Sequence, residues 1–481
     1  MYMAKTYYPT IGLEIHAELK TQTKMFCGCL NDPDEEKPNV NICPVCMAHP
    51  GALPVLNKKA IENVIKVGLA VNGKIADFTE FDRKNYFYPD IPKGYQISQY
   101  KFPIVSGGKL AGFDITRVHL EEDTANNKHD RGDFSLIDFN RSGVPLMELV
   151  TEATTFQNPN DAALGATKFA KEFQLMLWYL GVSEANMEKG EMRVEANISI
   201  SADSKKLGTK VEVKNLNSFR SVERAIKYEL ERMTELLGNG KESEIVQETR
   251  GWDDSKQKTF SQRKKESSQD YRYFPEPDLP KLKLQDKKSG FNLEKMQKEL
   301  PELPVALRAR YKNDFGIKDE DIEVYINDPE LGTKFSAIAK ILVNPEKIKI
   351  ASNYIITDYV GLKKTKTEAL LPSAENFTEL INLISENKIS SRAAKDILAM
   401  IVIKDESPLK IAKEKDLLQK NDTGALKQIA QKIIDANPKV VADYKGGKEV
   451  ALMSLVGQIM KETKGSANPI ATKQILIDLL K

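Results

Sequence analysis

The clearest pattern in the chain is an alternation of apolar and polar residues near its start. From Ile11 to Leu19 every second residue is apolar, and Glu14, His16 and Glu18 lie between them. Because successive side chains of a strand point to opposite faces, this period predicts a β-strand with one buried face. The other face would carry two carboxylates and an imidazole, although such a face is also typical of a solvated antiparallel sheet.

The same period recurs later in the chain and predicts further strands of this kind. The segments are Asp114 to Glu122, Met192 to Ser201 and Thr209 to Lys214, while Glu148 lies in an apolar run. In the first segment, Arg117, His119 and Glu121 share one face and Glu122 lies on the other. Several such strands can share a core and present a common polar face.

That common face suggests a particular chemistry. Carboxylates suit Mg²⁺ held together with substrate phosphates, and basic residues of the same face, such as Arg193, suit the phosphates themselves. The sequence has no phosphate loop ending in Gly-Lys-Ser/Thr. We therefore predict an ATP–Mg²⁺ site on an open sheet. A solvated sheet face is the alternative.

Helical patterns organise the remainder of the chain. Helices are predicted at Asn57 to Val71, at Asp161 to Leu180 with Asn160 or Asp161 as cap, and at Ser221 to Leu237. Residues 275–290 have the composition of a linker, and the chain beyond is almost purely helical. The prediction is an α+β domain over residues 1–290, a helical domain over 291–408 and a small helical tail over 409–481. In the tail, Gly465 is expected to end a helix and Asn468-Pro469 to begin the last one.

Composition narrows the class of protein. The chain of 481 residues has 71 Lys and Arg against 69 Asp and Glu, so its net charge gives no case for nucleic-acid binding. The N-terminus lacks the apolar region of a secretory signal, and no apolar run has the length of a membrane helix. All four cysteines lie in one short stretch, which favours a reducing cytoplasm over a disulfide-bonded secreted protein.

The cysteines form two close pairs. Cys27 and Cys29 are followed, after thirteen residues, by Cys43 and Cys46. This spacing predicts a tetrahedral zinc site of four thiolates, with a structural role because no coordination position stays open. Two surface pairs without a metal are the alternative.

Two segments interleave aromatic and basic residues, namely Phe81 to Pro89 and Asp270 to Pro277. Such mixtures can stack bases and contact phosphates, whereas more commonly the rings pack under a loop. Lys84 stands out, because a lysine in a rigid aromatic setting can hold a phosphate as a point charge.

These motifs together resemble one family. The matching stretches are Ile11 to His16, Phe81 to Asp90, His119 to Asp123, Lys214 to Phe219, Asp270 to Asp278 and Val456 to Pro469. They resemble the B subunit of the tRNA-dependent aspartyl/glutamyl amidotransferases, and the resemblance covers essentially the whole chain. It implies a cradle-shaped catalytic domain related to glutamine synthetase, followed by a helical domain and a tail that holds the tRNA elbow.

The resemblance also implies a reaction and its residues. ATP phosphorylates the side-chain carboxylate of Glu misacylated on tRNA(Gln), or of Asp on tRNA(Asn), and ammonia then displaces the phosphate. Lys84, Glu14 and Glu122 are the implied catalytic residues. The implied Mg²⁺ ligands are Glu14, His16, Glu121, Glu122, Glu148 and Glu212. Lys84 and Arg193 are the expected contacts of the nucleotide.

Ammonia would come from partner proteins. Because all four cysteines belong to one cluster, the chain lacks a thiol for glutamine hydrolysis. The resemblance implies an amidase partner, the A subunit, which delivers ammonia through a channel, and a small C subunit that completes a heterotrimer. The tail has 13 Lys against 10 acids from Asp405 on, which suits phosphate contact but also ordinary solvated helices.

Two other functions remain open at this point. A free-standing ligase for a small amino acid would use the same Mg²⁺–ATP site but has no need of the helical tail. A non-catalytic RNA-binding factor would have the tail, but its clustered acids would repel phosphates unless a metal lay between them.

Overall fold

The computed structural model describes residues 6–128, 132–264, 271–419, 423–463, 467 and 469–480. The chain divides into two compact units, residues 1–304 and 305–481. The division into three domains with boundaries at 290 and 408 stays a prediction.

Among the described residues, a sheet of eleven strands organises the first unit. The strands of this unit are β1 (Tyr8–Glu18), β2 (Lys74–Ile75), β3 (Phe78–Thr79), β4 (Asp82–Asn85), β5 (Tyr95–Ser98), β6 (Val105–Ser106), β7 (Lys109–Leu110), β8 (Phe113–Glu122), β9 (Asn126–Lys128), β10 (Leu136–Asp138), β11 (Pro145–Thr151), β12 (Thr154–Thr155), β13 (Met192–Ser201), β14 (Val211–Leu216), β15 (Glu248–Asp253), β16 (Lys258–Lys264), β17 (Phe274–Pro275) and β18 (Leu282–Lys283). The order across the large sheet is β16-β15-β14-β13-β1-β11-β8-β6-β2, with β12 beside β1 and β7 beside β8. The central strands β13, β1, β11 and β8 are antiparallel neighbours, whereas β14 and β15 run parallel.

Three helices cover the apolar face of this sheet. They are α1 (Lys58–Ala70), α2 (Pro159–Leu180) and α3 (Phe219–Gly238). On β1, Ile11, Leu13 and Ile15 are at most 1% exposed and belong to the core that the helices complete. The alternation near the start of the chain is therefore a strand with one buried face, as predicted.

Polar caps set the helix starts. Asn57 and Ser218 accept a backbone N–H at the starts of α1 and α3, as N-cap residues do. On α2 the predicted caps were wrong. Asn158 accepts the N–H of Asp161, and Pro159 occupies the first helical turn, where a missing N–H costs nothing.

The segment with linker composition packs onto the first unit. Leu284 is fully buried there. The short helix α4 (Leu293–Lys298) follows, and Phe291, Leu293 and Met296 pack against the same core. The first unit thus continues to residue 304.

Among the described residues of the second unit, helices are joined by loops, and one isolated β-bridge links Ile389 and Leu418. Its helices are α5 (Pro304–Asn313), α6 (Asp319–Ile326), α7 (Pro329–Leu342), α8 (Pro345–Asn353), α9 (Val360–Thr365), α10 (Ala374–Ser385), α11 (Ser391–Ile401), α12 (Pro408–Glu414), α13 (Thr423–Ala436), α14 (Pro438–Lys445), α15 (Glu449–Glu462) and α16 (Pro469–Leu480), with a π-helical stretch at Tyr354–Tyr359. Leu452, Leu455 and Ile459 of α15 form a separate core with Leu476 of α16. The last helix begins at Pro469, while Gly465 and Asn468 lie outside the described residues. Across the described residues, no helix combines the length and the apolar character that crossing a membrane requires.

Candidate functional site

The strand register brings the polar side chains of the sheet into rows. His16 on β1 is opposite Glu148 on β11, and Glu148 is in turn opposite His119 on β8. In the next row, Glu14 is opposite Glu195 on β13. Because paired residues of neighbouring strands share a face, these five side chains project to the same side.

They line a cavity of about 440 Å³, which we call the carboxylate cavity. Its acidic residues are Glu14, Asp90, Glu121, Asp123, Glu148, Glu195 and Glu212. Its wall also includes lysines, arginines, tyrosines and two histidines. The cavity is therefore strongly polar, and it lies on the face of the sheet away from the helices.

The first cluster in the cavity combines His16, Glu121 and Glu148. One ligand atom of each lies within 4.8 Å of the others. The Nε2 atom of His16 is 3.4 Å from Glu121 Oε1 and 3.6 Å from Glu148 Oε2. The Nε2 atom of His119 lies 3.1 Å from Glu148 Oε2, and Ser98 Oγ donates to Glu121 Oε2 at 3.1 Å.

The protonation of this cluster follows from its charges. Burial lowers the pKa of His16, but hydrogen bonds to Glu121 and Glu148 outweigh it and raise the pKa to about 10. Burial raises the pKa of Glu148, but the charge of His119 and bonds to both histidines bring it well below its usual range. Two carboxylates this close therefore depend on positive charge beside them, here that of His119 and His16.

The second cluster combines Glu14, Glu195 and Glu212, whose carboxylate atoms also lie within 4.8 Å of one another. Glu14 Oε1 accepts from Asn197 Nδ2 at 2.8 Å, and Lys214 Nζ is 2.8 Å from Glu195 Oε2. Burial and the charges of Glu148 and Glu195 raise the pKa of Glu14. Lys214 Nζ is also 3.9 Å from Glu212 Oε1, so this lysine lies beside two of the three carboxylates.

Lys84 reaches the cavity from β4, a strand of a separate small sheet. Its Nζ lies 5.2 Å from the ring centre of Tyr271 and 6.0 Å from that of Tyr86. Burial lowers the pKa of Lys84, but the charges of Glu121 and Glu148 contribute to a net rise above its usual value. The lysine is therefore a permanently charged group held by aromatic rings beside the first cluster.

The neighbouring Arg83 fastens the segment that carries Tyr271. Its Nε atom donates to Glu276 Oε2 at 2.7 Å, and its Nη2 atom to Glu276 Oε1 at 2.8 Å. The Nδ2 atom of Asn85 donates to the Arg272 carbonyl at 2.8 Å. These contacts, with the pairing of β17 and β4, hold residues 271–278 over Lys84.

Arg193 lies on the cavity wall but is already paired. Its Nη2 atom is 3.1 Å from Asp123 Oδ2, and Arg141 Nε is 3.7 Å from the same oxygen. Glu18 belongs to the same group of charged residues. Burial and the charge of Asp123 raise the pKa of Glu18 to about 8.

Glu18 gives a pH-dependent prediction. The pKa of Glu18 is higher in the folded chain than in the unfolded one, so the protonated side chain stabilises the fold. This contribution to the free energy of unfolding is fully present below about pH 4.5 and is lost as the pH rises to about 8. The variant Glu18→Gln should therefore gain stability over the parental chain by about 2 kcal/mol at pH 9, since each pKa unit corresponds to about 1.4 kcal/mol and solvent access reduces the effect. Urea unfolding at pH 5 and pH 9 measures this. The exposed substitution Glu188→Gln is the control, and a gain for Glu18→Gln that is equal at both pH values would contradict the prediction.

Glu122 does not lie with the other predicted ligands. Both of its oxygens are 2.6 Å from Lys93 Nζ, and Oε1 also accepts the N–H of Ile97 at 2.9 Å. The reason is the strand period, which turns Glu122 to the face opposite Glu121. The structure therefore places Glu122 apart from the other predicted Mg²⁺ ligands, with its carboxylate bound to a lysine on the other face. Its roles as a Mg²⁺ ligand and as a catalytic residue stay predictions.

The four cysteines converge as their spacing predicted. Their sulfur atoms lie within 4.8 Å of one another, and the thiols are free of disulfides. The Sγ atoms of Cys43 and Cys46 are 3.8 Å apart, and the N–H of Cys43 donates to Cys46 Sγ at 3.0 Å. A hydrogen bond from the Cys27 thiol, with a contribution from the charge of Lys24, outweighs burial and lowers the pKa of Cys46 to about 5.

The structure thus groups most of the predicted site residues and adds others. Those at the carboxylate cavity are Glu14, His16, Lys84, Glu121, Glu148, Arg193 and Glu212. Glu195 and Lys214 were not among the predicted site residues, although both sit on the polar side of alternating segments. Asp123 was missed as well, and the pattern gave no sign of it, because it follows the end of β8.

Comparison with known proteins extends over the same residues. The sequence model of the GatB/GatE catalytic domain matches residues 9–289, and that of the GatB domain matches residues 334–480. The chain is 42% identical to a protein of Carboxydothermus hydrogenoformans named as the B subunit of aspartyl/glutamyl-tRNA(Asn/Gln) amidotransferase, with 99% of each covered.

The chain belongs to this family of amidotransferase B subunits. Relatives of the same name from Thermotoga maritima and Crocosphaera subtropica are 43% and 40% identical, with 98% of this chain and at least 98% of the relative covered. The carboxylate cavity lies entirely within the part of the chain that matches the catalytic domain of the family.

Proposed function

We propose that this chain is the synthetase component of an amidotransferase that converts Glu on tRNA(Gln), Asp on tRNA(Asn), or both, to the amide. The observation that carries the proposal is the pair of carboxylate clusters beside Lys84 on one sheet face, in a chain that spans the length of its named relatives. ATP would phosphorylate the side-chain carboxylate, and ammonia would displace the phosphate.

Mg²⁺ would be held by the two clusters. Glu14, Glu195 and Glu212 offer only carboxylate oxygens, the ligands that Mg²⁺ prefers. His16, Glu121 and Glu148 form a second set, in which a cation would take the place of the His16 proton. The raised pKa of Glu14 is compatible with this fit, because burial and then the charges of Glu148 and Glu195 disfavour its ionised form, and a bound cation would offset both effects. When bound, Mg²⁺ neutralises charge on the phosphates and aligns them.

Phosphoryl transfer depends on positioning and charge, and the residues of the cavity offer both. Lys84 would contact the transferred phosphate, because it is the cation that the aromatic rings hold beside Glu121 and Glu148. Arg193 would contact the nucleotide only by sharing or releasing Asp123, to which it is bound.

A structural zinc ion fits the four cysteines. Sulfur atoms about 2.3 Å from a tetrahedral Zn²⁺ lie about 3.8 Å apart, and the Cys43–Cys46 separation is 3.8 Å. Cys27 and Cys29 would complete the shell, which leaves no position for a substrate.

The remaining features of the proposal follow from the family. Ammonia would come through a channel from the amidase, or A subunit, and a small C subunit would complete a cytoplasmic heterotrimer. Residues 1–290 would be a cradle related to glutamine synthetase, residues 291–408 a helical domain and residues 409–481 a tail contacting tRNA. The mixed sheet-and-helix architecture of the first unit is consistent with such a cradle.

The test uses the chain copurified with its partner proteins. We expect conversion of Glu-tRNA(Gln) or Asp-tRNA(Asn) to require ATP, with ammonium chloride able to replace glutamine as donor. Conversion of free glutamate without tRNA would favour the small-molecule ligase instead. Binding of charged tRNA without any ATP hydrolysis would favour a non-catalytic RNA-binding factor.

A further inference from the structure

Lys24 is a fully buried lysine in the region of the cysteine cluster. Its side chain is 0% exposed. Its Nζ atom donates to the carbonyl of Asn41 at 2.7 Å and to that of Phe139 at 3.0 Å. Among the described residues, no carboxylate forms an ion pair with it.

A buried ammonium without a counter-ion is costly. Two carbonyl dipoles satisfy hydrogen bonds but do not supply the negative charge that a desolvated cation requires. The side chain of Cys46 packs at the same place. A Cβ built on Gly143 would lie 3.7 Å from Lys24 Cδ and 3.8 Å from Cys46 Cβ, so both side chains pack against the same glycine.

The charge of a zinc tetrathiolate is of the required sign. Four thiolates around one Zn²⁺ carry a net charge of about −2, and the side chain of Lys24 packs beside Cys46, the most buried of the four cysteines. We propose that Lys24 is the built-in counter-ion of a zinc tetrathiolate and ties it to the turn at residues 139–143. This inference rests on the proposed zinc site and assigns a role to a residue that is not a ligand.

The turn connects this centre with the carboxylate sheet. The Oδ1 atom of Asn140, which is buried, accepts the N–H groups of Val40 and Asn41 at 2.9 Å each. At the other end, the N–H of Gly143 donates to the Asp123 carbonyl at 2.9 Å, just after β8. Lys24 therefore joins the loop between the cysteine pairs to the connection that leads from β10 into β11.

The experiment compares two Lys24 variants with a control lysine from the loop between the cysteine pairs. Lys24→Met keeps the length of the side chain, and Lys24→Gln keeps a donor for the carbonyls, but both remove the charge. Lys37→Met removes one charge at an exposed position between the cysteine pairs. Zinc content is measured by elemental analysis of the full chain, and zinc affinity by competition with a chromogenic chelator.

We expect about one zinc per parental chain and a 10- to 100-fold lower affinity in both Lys24 variants, the range found for residues that support metal ligands. Lys37→Met should bind as the parental chain does. In a Cys29→His background, where the centre carries one negative charge less, the effect of Lys24→Gln should shrink.

The outcomes separate the two proposals. A parental chain that takes up no zinc would overturn the zinc site itself. Zinc in the parental chain, with equal affinity in Lys24→Gln and Lys37→Met, would overturn the role of Lys24 while leaving the site. A Lys24→Gln effect that is unchanged by Cys29→His would overturn the role of its charge.

Discussion

Exchange of Glu148 for glutamine is expected to lower the rate of tRNA-dependent amidation at least about a thousandfold, which corresponds to about 4 kcal/mol in the activation barrier. Glu148 is buried, and its Oε2 atom lies 3.1 Å from His119 and 3.6 Å from His16. Glutamine has nearly the same shape but no charge, so the first cluster would lose the carboxylate that balances both histidines. With one negative charge fewer, the cluster would bind both the His16 proton and a divalent cation more weakly.

The measurement is the conversion of charged tRNA by the complex, with ammonium chloride as donor so that the amidase is bypassed. Glu152→Gln is the matched control, because Glu152 follows the same strand but is exposed and accepts from Thr116 Oγ1 at 2.7 Å. Circular dichroism and the melting temperature would establish that both variants fold. Amidation by Glu148→Gln within tenfold of the parental rate would refute the assignment of this cluster.

Replacement of Lys84 by methionine should reduce ATP hydrolysis that depends on charged tRNA by a factor of about 100 to 1,000. Methionine fills the space between Tyr86 and Tyr271 but has no charge to offer a phosphate. Lys84→Arg should restore little, because a planar guanidinium does not replace a compact ammonium held between rings. We expect the loss chiefly in kcat, since the contact is needed most when charge develops on the transferred group.

A suitable control is Lys101→Met. Lys101 is exposed and also lies against a ring, 5.2 Å from the centre of Phe102, but it is not part of the cavity wall. Its replacement should leave both kcat and KM unchanged. If Lys84→Met changed only KM for ATP, Lys84 would be a binding residue without a part in phosphoryl transfer.

The periodicity of the sequence was enough to predict the faces of the central strands. The predicted segment Met192 to Ser201 coincides with β13, and β1 buries the apolar set that alternation indicated. Glu122 shows the limit of relying on motif likeness. The alternation of residues along the strand places Glu122 on the face opposite Glu121, whereas the family motif contains both residues. In the structure the two side chains lie on opposite faces, as the alternation predicts.

The division of the acids into two clusters, and the place of Glu195 in one of them, could not be predicted from the sequence. The row that joins Glu14 to Glu195 depends on pairing between strands some 180 residues apart, and nothing local specifies that register. Glu195 therefore looked like any polar residue of an alternating strand. Lys24 was not identified either, because the sequence pattern does not distinguish a buried lysine from an exposed one.

The fastening of residues 271–278 by Arg83 has a practical consequence for anyone who prepares the catalytic half in isolation. A fragment that stopped at residue 264 would retain the acids of the sheet but expose Lys84 to water and leave Arg83 without Glu276. One that stopped at 290 would strip the apolar cover that Phe291 and Leu293 provide. Expression plasmids for crystallography or calorimetry should therefore run through residue 304.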